Sequence, residues 1–472
     1  MLLQLTNQKC SHMKILSPQK LLDFWHQQTS GSVNRQIFGA AVTVALGTII
    51  VKAVALVKEL VVAWKFGTGD TLDAFLIALL VPAFITNVVS SSFNAALIPT
   101  YIRVRDREGT NAAQRLFSGA TVWIFVVLAI ATILMVVTAP IYLPLIAGGF
   151  SREKLDLTFK LLCAIVPVVL LETFMTSWRA TLNAGERFAL VALAPIFTPI
   201  MTILFLLVLH SWGIFNLAAG LVFGVVLEMV AIGISLHQQG ISLMPKWYGF
   251  DPHLRQVASQ YIPAVTGALL MNTATIVDQS MAAMLSPGSV ASLNYGNRVI
   301  ALPITLITTA LSTAVIPYFS KMVAREDWAN VRHTLNRYLG LIFALTVPLT
   351  GFLILFSELI VQLLFQRGSF TANDTHLVAQ IQFCFAFQIP FYIGNILLAR
   401  LMISMRLNYI LMRVSAFNLI LNITLNYIFM QWIGIKGIAL STSFVYLFSF
   451  LYMFVSAQQN LRKITEASQT KS

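Results

Sequence analysis

The chain has 472 residues, of which 57% are hydrophobic and 10% are charged, and its mean hydropathy is +0.79. This composition excludes an ordinary soluble domain, because too few polar residues are available to cover a water-facing surface. The formal charge of +13 does not indicate nucleic-acid binding, because the basic residues stand between apolar segments and form no patch with interleaved aromatic residues.

The chain is predicted to be an all-α polytopic membrane protein. Residues 1–35 lack an apolar core of signal-peptide length and are interpreted as a cytoplasmic N-terminal extension, or as partly an early start before Met13. Twelve apolar runs follow, each long enough to cross a bilayer. The predicted spans are 36–62, 74–102, 116–147, 157–178, 188–209, 212–236, 259–284, 292–319, 338–364, 377–403, 409–430 and 435–457.

Loop charges predict the orientation of these spans. Most of the 31 Lys and Arg residues fall in alternate loops that share a side with both termini. Basic residues accumulate on the cytoplasmic side, so both termini are expected to be cytoplasmic. The three cysteines are far apart and predict neither a disulfide framework nor a metal cluster.

The two halves of the chain resemble each other. Pro82 is followed by FNAALIPTYIRVRDREG, and Pro303 is followed by LSTAVIPYFSKMVARED. Shared apolar composition is the alternative explanation, but the repeat favours two pseudo-symmetric six-helix bundles. The predicted organisation is an N-terminal bundle at 36–237, a cytoplasmic linker at 238–258, a C-terminal bundle at 259–458 and a cytoplasmic tail at 459–472.

The first span carries charges that are costly inside a membrane. Lys52 lies roughly 15 Å from the end of that helix, and Lys58 and Glu59 lie further along it. The lysines either reach towards the interface or pair with Glu59, or they bind an anionic headgroup. Asp73 opens the second span and Arg298 lies early in the eighth, so these two are hypothesised to face each other as a gate, with ordinary interfacial charges as the alternative.

A second polar group is predicted in the C-terminal bundle. Asp278 is the only charge in the seventh span, and Asn418, Asn422 and Asn426 recur every fourth residue on the eleventh. Together with Thr442 these oxygens fit a sodium site, although Asn in membrane helices also serves as contact between helices.

No ATP-binding loop, metal-binding His pair or nucleophile elbow occurs in the sequence. The chain is therefore not expected to be an enzyme or to hold a cofactor, and Na⁺ or H⁺ is the expected coupling ion. Glu172 and Glu228 are further membrane carboxylates to which the sequence assigns no role.

Several segments together resemble the MurJ (MviN) flippases of the multidrug/oligosaccharidyl-lipid/polysaccharide exporter superfamily. These segments are VALVKELVVAWKFGTGDTLDAF at 54–75, FNAALIP ending at Pro99, RATLNAGERFALVALAP at 179–195, GSVASLNYGNRVIALP ending at Pro303, LFQRGSFTANDT at 364–375 and GIALSTS ending at Ser443. The resemblance implies a MATE-like fold in the bacterial inner membrane and a basic cavity for a polyprenyl-pyrophosphate-linked saccharide, chiefly lipid II. It implies no nucleic-acid partner, a monomer among membrane lipids, and association with cell-wall or polysaccharide synthesis enzymes.

Carried over by position, the resemblance assigns substrate binding to Lys52, Lys58, Asp73 and Arg298, and a sodium site to Asp278, Asn418, Asn422 and Thr442. Thr86 and Asn87 are also predicted to contact the substrate. The chain departs from the family where Thr86 and Asn87 replace an arginine pair, where both first-span arginines are lysines, and in having twelve rather than fourteen helices. Weaker pyrophosphate capture and a different arrangement for the lipid tail are expected. A flippase for O-unit, capsule or exopolysaccharide lipids and a cation-coupled drug antiporter remain the alternatives.

Overall fold

The structure is a computed structural model that describes residues 33–184, 187–209, 211–238, 245–314, 319, 322–323 and 325–469. Within these ranges the chain is helical, with short turns and no strand. The α-helices in chain order are α1 Val33–Phe66, α2 Asp70–Glu108, α3 Thr110–Ile146, α4 Arg152–Ala184, α5 Phe188–Leu193, α6 Phe197–Val208, α7 Phe215–Gln238, α8 Pro252–Ala283, α9 Ser289–Ala314, α10 Trp328–Leu355, α11 Ser357–Phe365, α12 Ala372–Ala386, α13 Gln388–Ser404, α14 Asn408–Ile433 and α15 Ile435–Gln469.

Each predicted span coincides with one helix or with consecutive helices. Spans five, nine and ten are the divided ones, as α5 and α6, α10 and α11, and α12 and α13. In span five a short 3₁₀ segment, Ala194–Ile196, separates the two helices and contains Pro195. A second proline, Pro390, lies in the first turn of α13. Proline lacks the N–H that a helix interior requires, which accounts for both of these breaks.

The chain is a multi-pass membrane protein. Nine stretches of the described helices are long and apolar enough to cross a bilayer, by length and composition alone. Three long helices, α1, α8 and α9, are outside that set. Helix α1 carries Lys52 and Lys58, α8 carries Asp278, and α9 carries Arg298.

The N-terminal half is α1 to α7, and the C-terminal half begins with α8. Asp251 caps α8 by accepting a hydrogen bond from Leu254 N (2.7 Å), and Pro252 occupies its first position. These signals start α8 before residue 259, where hydropathy alone had predicted the span to begin. The first turns of α8 pack on α2 and α3 through Leu254 and Val257, and its later turns reach α14.

The halves also share a large apolar core at the opposite end of α2 from this contact. Residues of α1 and α2, including Val62 and Phe75, belong to the same buried cluster as Tyr295 of α9 and Phe370 before α12. The repeat element predicted around Pro317 lies partly outside the described residues, as does most of the predicted N-terminal extension.

Candidate substrate pocket and loop seal

A pocket at the interface of the halves carries the charges predicted for substrate binding. Helix α1 contributes Lys58 and Glu59, and α9 contributes Asn294, Tyr295 and Arg298. Apolar side chains of α2 and α7 complete its wall. The structure thus brings Lys58 and Arg298 together from opposite halves in what we call the central pocket.

Glu59 holds both cations of the central pocket. Its Oε1 lies 2.8 Å from Lys58 Nζ and 3.5 Å from Arg298 Nε. The Glu59 side chain is 15% exposed and that of Arg298 is 52% exposed. One carboxylate therefore faces two cations, and most guanidinium donors of Arg298 remain accessible to an anion. Sequence reasoning anticipated the contact with Lys58 and missed the contact with Arg298.

The other predicted substrate residues lie on α1 and α2 outside that cluster. Lys52 and Asn87 are exposed, and Thr86 is half-buried. Within the described part of the chain, none of the three side chains forms a hydrogen bond or an ion pair. They are free to contact a ligand, but the central pocket does not bring them together with Arg298.

The predicted pairing of Asp73 with Arg298 is wrong. Asp73 is 1% exposed and accepts hydrogen bonds from Gly288 N (2.7 Å) and Ala291 N (2.8 Å) at the start of α9. Free N–H groups at a helix N-terminus, together with its dipole, attract a carboxylate strongly. Arg298 lies nine residues after Ser289, roughly 14 Å further along the helix, and so pairs elsewhere.

Lys154 is a partner of Asp73 that sequence reasoning missed. Its Nζ lies 3.2 Å from Asp73 Oδ2, also contacts Asp70, and sits 3.8 Å from the ring centroid of Phe150. A lysine in the first turn of a helix opposes the helix dipole, and Lys154 is in the first turn of α4. The unfavourable position of Lys154 next to the helix N-terminus is the sequence signal that indicates a carboxylate partner.

Loops of the two halves are bonded to each other beside Asp73. Ser369 donates from its backbone N to Trp64 O (2.9 Å) and from its hydroxyl to Lys65 O (3.1 Å). Thr68 donates to Asp374, which also closes the capping box of α12 with Thr371. We call these loops, residues 64–69, 284–288 and 366–371, together with Asp73, the loop seal.

Glycines allow the loops of the seal to touch through backbone atoms. Gly67, Gly288 and Gly368 have φ of +55°, +84° and +60°. A Cβ on each would collide with a backbone oxygen of the opposite half, which belongs to Ser369, Thr68 and Trp64 respectively. Positive φ favours glycine at all three positions, and the close approach adds a second requirement.

The predicted cation residues converge in part. Asp278 Oδ1 accepts hydrogen bonds from Asn422 Nδ2 (3.0 Å) and Asn426 Nδ2 (2.6 Å), and the Thr442 hydroxyl, which is close to this carboxylate, donates to Ile438 O (3.0 Å). Asn418 instead donates to Ser449 (3.2 Å). The structure therefore groups Asp278 with Asn422, Asn426 and Thr442, whereas Asn418, which the resemblance had included in the site, lies beside them.

The donor set of this group fits a sodium ion. Buried Asn426 Oδ1 and Asn418 Oδ1 have no hydrogen-bond partner among the described residues. A half-turn of an amide about its last torsion exchanges its oxygen and nitrogen, so Asn422 and Asn426 can present oxygen instead of N–H towards Asp278. Oxygen ligands and one carboxylate are the chemistry that a hard cation prefers.

Comparisons with known proteins place the chain among flippases. The family model described as lipid II flippase MurJ matches residues 62–471. A probable lipid II flippase MurJ of Synechocystis is 29% identical over 439 residues, covering 89% of this chain and 81% of that protein. The counterpart of Vibrio cholerae is 25% identical over 430 residues, covering 87% and 81%.

Solved structures share the fold. A lipid II flippase MurJ in an inward closed conformation superposes with a TM-score of 0.77 at 23% identity, covering 91% of each chain. An inward-facing MATE multidrug transporter of the MOP superfamily gives 0.75 at 13% identity, covering 90% of this chain and 99% of that one. These likenesses establish the MATE-like, two-bundle architecture.

Proposed function

This chain belongs to the lipid II flippase MurJ family, and on that premise we propose that it carries a polyprenyl-pyrophosphate-linked saccharide of the lipid II type from the inner to the outer leaflet by alternating access. It would act as a transporter rather than a catalyst. The observation that carries the proposal is the central pocket, where Lys58 and Arg298 reach one carboxylate from opposite halves. Nothing in the comparisons favours the polysaccharide or drug-antiporter alternatives.

The central pocket is suited to a pyrophosphate. Glu59 neutralises one of its two cations and leaves a net positive charge, to which exposed Lys52 adds on the same helix. A guanidinium and an ammonium both donate to phosphate oxygens, and charge-assisted bonds of this kind are stronger than hydrogen bonds between neutral groups. In the absence of the anion, Glu59 fixes the positions of both cations and reduces their mutual repulsion.

Thr86 and Asn87 would contact the uncharged part of the cargo. A hydroxyl and an amide can each donate and accept, which suits sugar hydroxyls better than phosphate. Neither side chain is bonded to another group within the described residues, so both can turn to a ligand. We therefore assign pyrophosphate to Lys58 and Arg298, and saccharide to Thr86 and Asn87.

Alternating access would require the loop seal to open. The positive-inside assignment puts the seal on the outer side, so the structure corresponds to a state closed to the outside. Opening would break the Asp73 cap of α9 and the backbone contacts at Gly67, Gly288 and Gly368. Arg298 lies on α9, so breaking the cap would also move a substrate-binding side chain.

A coupling sodium ion would be held by Asp278, Asn422, Asn426 and Thr442. The ion would supply a positive charge that neutralises the Asp278 carboxylate inside the membrane. These side chains join α8 to α14 and α15, and α8 also packs against the N-terminal half. Binding of the ion would therefore change contacts of α8, the helix that packs against both halves.

Complementation of a lipid II flippase depletion tests the proposal. The wild-type chain should restore growth, and the triple variant Lys52→Gln, Lys58→Gln and Arg298→Gln should fail despite normal membrane insertion. A charge-matched control is Lys160→Gln, Arg400→Gln and Lys463→Gln, since these cations are exposed away from the central pocket. Growth on the first triple variant equal to growth on the control would overturn the assignment.

A further inference from the structure

A buried ion cluster inside the N-terminal half has no part in the central pocket or the loop seal. Arg179 of α4 lies between two carboxylates: its Nη1 is 3.2 Å from Glu172 Oε2, and its Nη2 contacts Glu228 Oε1 of α7. The Glu228 side chain is 3% exposed, and those of Glu172 and Arg179 are 20% and 24% exposed. The cluster joins α4 to α7 within membrane-spanning segments.

The charges of this cluster do not balance. One guanidinium faces two carboxylates, so the fully ionised cluster carries one excess negative charge. An unbalanced charge costs roughly 2.5 to 3.5 kcal/mol at the centre of a membrane helix. Glu172 and Glu228 lie inside the predicted spans 157–178 and 212–236, and Arg179 follows the end of the first of these. A carboxylate that binds a proton removes this cost, because the neutral acid needs no counter-ion.

Among the described residues, the neighbouring helices carry cations only near their ends, among them Arg105 of α2, which lines the groove beside α4. Helix α2 has no acidic, basic or histidine residue between Asp73 and Arg103, and α3 has none after Arg115. Helices α5 and α6 carry none at all. On α7 the other such residue is His237, nine positions from Glu228, or roughly 14 Å along the helix.

On α4 itself, Lys160 is the nearest further cation and is already paired with Asp156 at 2.6 Å. It lies twelve positions before Glu172, roughly 18 Å away along the helix. The charged groups that act on Glu228 are accordingly Arg179 and Glu172. A proton shared by the two carboxylates would neutralise the cluster.

We propose that Glu172, Arg179 and Glu228 form a proton-binding site in which the two carboxylates share one proton that the cluster takes up and releases, while Arg179 stays between them. Glu172 is the accessible end of the site, because its side chain is 20% exposed against 3% for Glu228. Glu172 shares a face of α4 with Asn183, which lines a groove between α2, α3, α4 and the start of α5. Hydronium in the aqueous phase supplies the proton: one of its O–H bonds breaks and leaves water, and an O–H bond forms on a carboxylate oxygen of the cluster.

Infrared difference spectroscopy of the purified full-length protein tests the site directly. Between acidic and alkaline pH, the wild type should show a protonated-carboxyl band that is absent from Glu172→Gln. Glu228→Gln should also lose the band, because a single carboxylate opposite Arg179 needs no proton. Glu358→Gln, which removes a 66% exposed carboxylate, should keep it.

Two results would overturn the proposal. If Glu172→Gln keeps every band of the wild type, the two carboxylates do not share a proton. If Glu228→Gln keeps the protonated-carboxyl band, the charge imbalance is not the cause of proton binding. Because each outcome is read from a different variant, failure of one variant to fold leaves the other decisive.

A second measurement asks whether the site is linked to transport, and this arm alone rests on the proposed function. Lipid II flipping by proteoliposomes should vary with pH in the wild type and lose that dependence in Glu172→Gln. No flipping by the wild type would count against the proposed function and leave the infrared result standing. Flipping with the same pH dependence in both proteins would exclude linkage to transport.

Discussion

Lys58 limits how tightly the central pocket can bind a phosphate. An ammonium acts as a point charge, whereas a guanidinium can donate two parallel hydrogen bonds. Lys58→Arg is therefore expected to tighten lipid II binding by about 1 kcal/mol, or roughly fivefold in Kd. Titration of the purified protein with lipid II measures this effect.

The control for Lys58→Arg is Lys160→Arg, which makes the same change at an exposed ion pair of α4. It should leave the dissociation constant unchanged. Equal or weaker binding by Lys58→Arg would mean that Lys58 serves only as the partner of Glu59 and does not reach the pyrophosphate.

Asp73 stabilises the loop seal by holding the start of α9 and by pairing with Lys154. In Asp73→Ala, two backbone N–H groups at the start of α9 lose their acceptor. Lys154, whose side chain is 10% exposed, loses its buried carboxylate partner. Breaking a buried charge pair costs about 3 to 5 kcal/mol, and Lys154 keeps Asp70, so the loss should be near 3 kcal/mol. Thermal unfolding in detergent should show a clearly lower midpoint.

A double-mutant cycle separates the two roles of Asp73. Adding Lys154→Met to Asp73→Ala removes the lysine charge that has lost its buried partner, and it should recover part of the lost stability. If the double variant is as unstable as the sum of the single variants, Lys154 and Asp73 are not energetically coupled.

These residues also mark how far sequence reasoning reaches. The depth of a charge follows from its place along an apolar run, and so Lys58, Asp278 and Arg298 could be recognised as intramembrane groups. Their direction around the helix axis depends on packing, which sequence spacing does not give. Asp73 and Arg298 were therefore paired wrongly, and the link between Glu59 and Arg298 was missed.

Hydropathy predicted the positions of the helices closely, but it did not predict where helices are interrupted. Within the described residues, each of the twelve spans corresponds to a helical segment, because each needs enough apolar length to cross the bilayer. The division of span nine at Phe356 has no proline and gave no sequence signal. The contact of α8 with the N-terminal half likewise depends on tertiary packing and not on helix propensity.

At the scale of elements, the loop seal depends on glycines whose backbone atoms contact the backbone of the opposite half. Gly288→Ala adds a Cβ against Thr68 O and forces an alanine to φ of +84°. The substitution should shift the protein away from the sealed state, because only that state contains the collision. Spin labels on the two sides of the seal should report a longer distance population in the variant.

Gly109→Ala is the matched control. Gly109 has φ of +90°, but a Cβ at this position would meet open space, and the residue lies in the turn between α2 and α3, away from the seal. Both variants carry the same kind of backbone strain, so a difference between them isolates the contact across the halves. Equal distance distributions would show that the glycine contact does not hold the seal closed.

At the scale of the whole molecule, the direction of transport depends on which end of the fold faces the cytoplasm. The distribution of basic residues predicts that the turns at Gly109 and Gly249 are inside and that those at Gly213 and Gly434 are outside. All four glycines have positive φ and open space around them, so cysteine substitutions there are comparable.

Labelling of single cysteines tests this orientation in a variant whose Cys10, Cys163 and Cys384 are replaced by alanine. In intact spheroplasts a membrane-impermeant maleimide should label Gly213→Cys and Gly434→Cys, and should label Gly109→Cys and Gly249→Cys only after permeabilisation. The reverse pattern would place the loop seal on the cytoplasmic side. The structure would then be closed to the cytoplasm, and the proposed direction of lipid transport would need the opposite resting state.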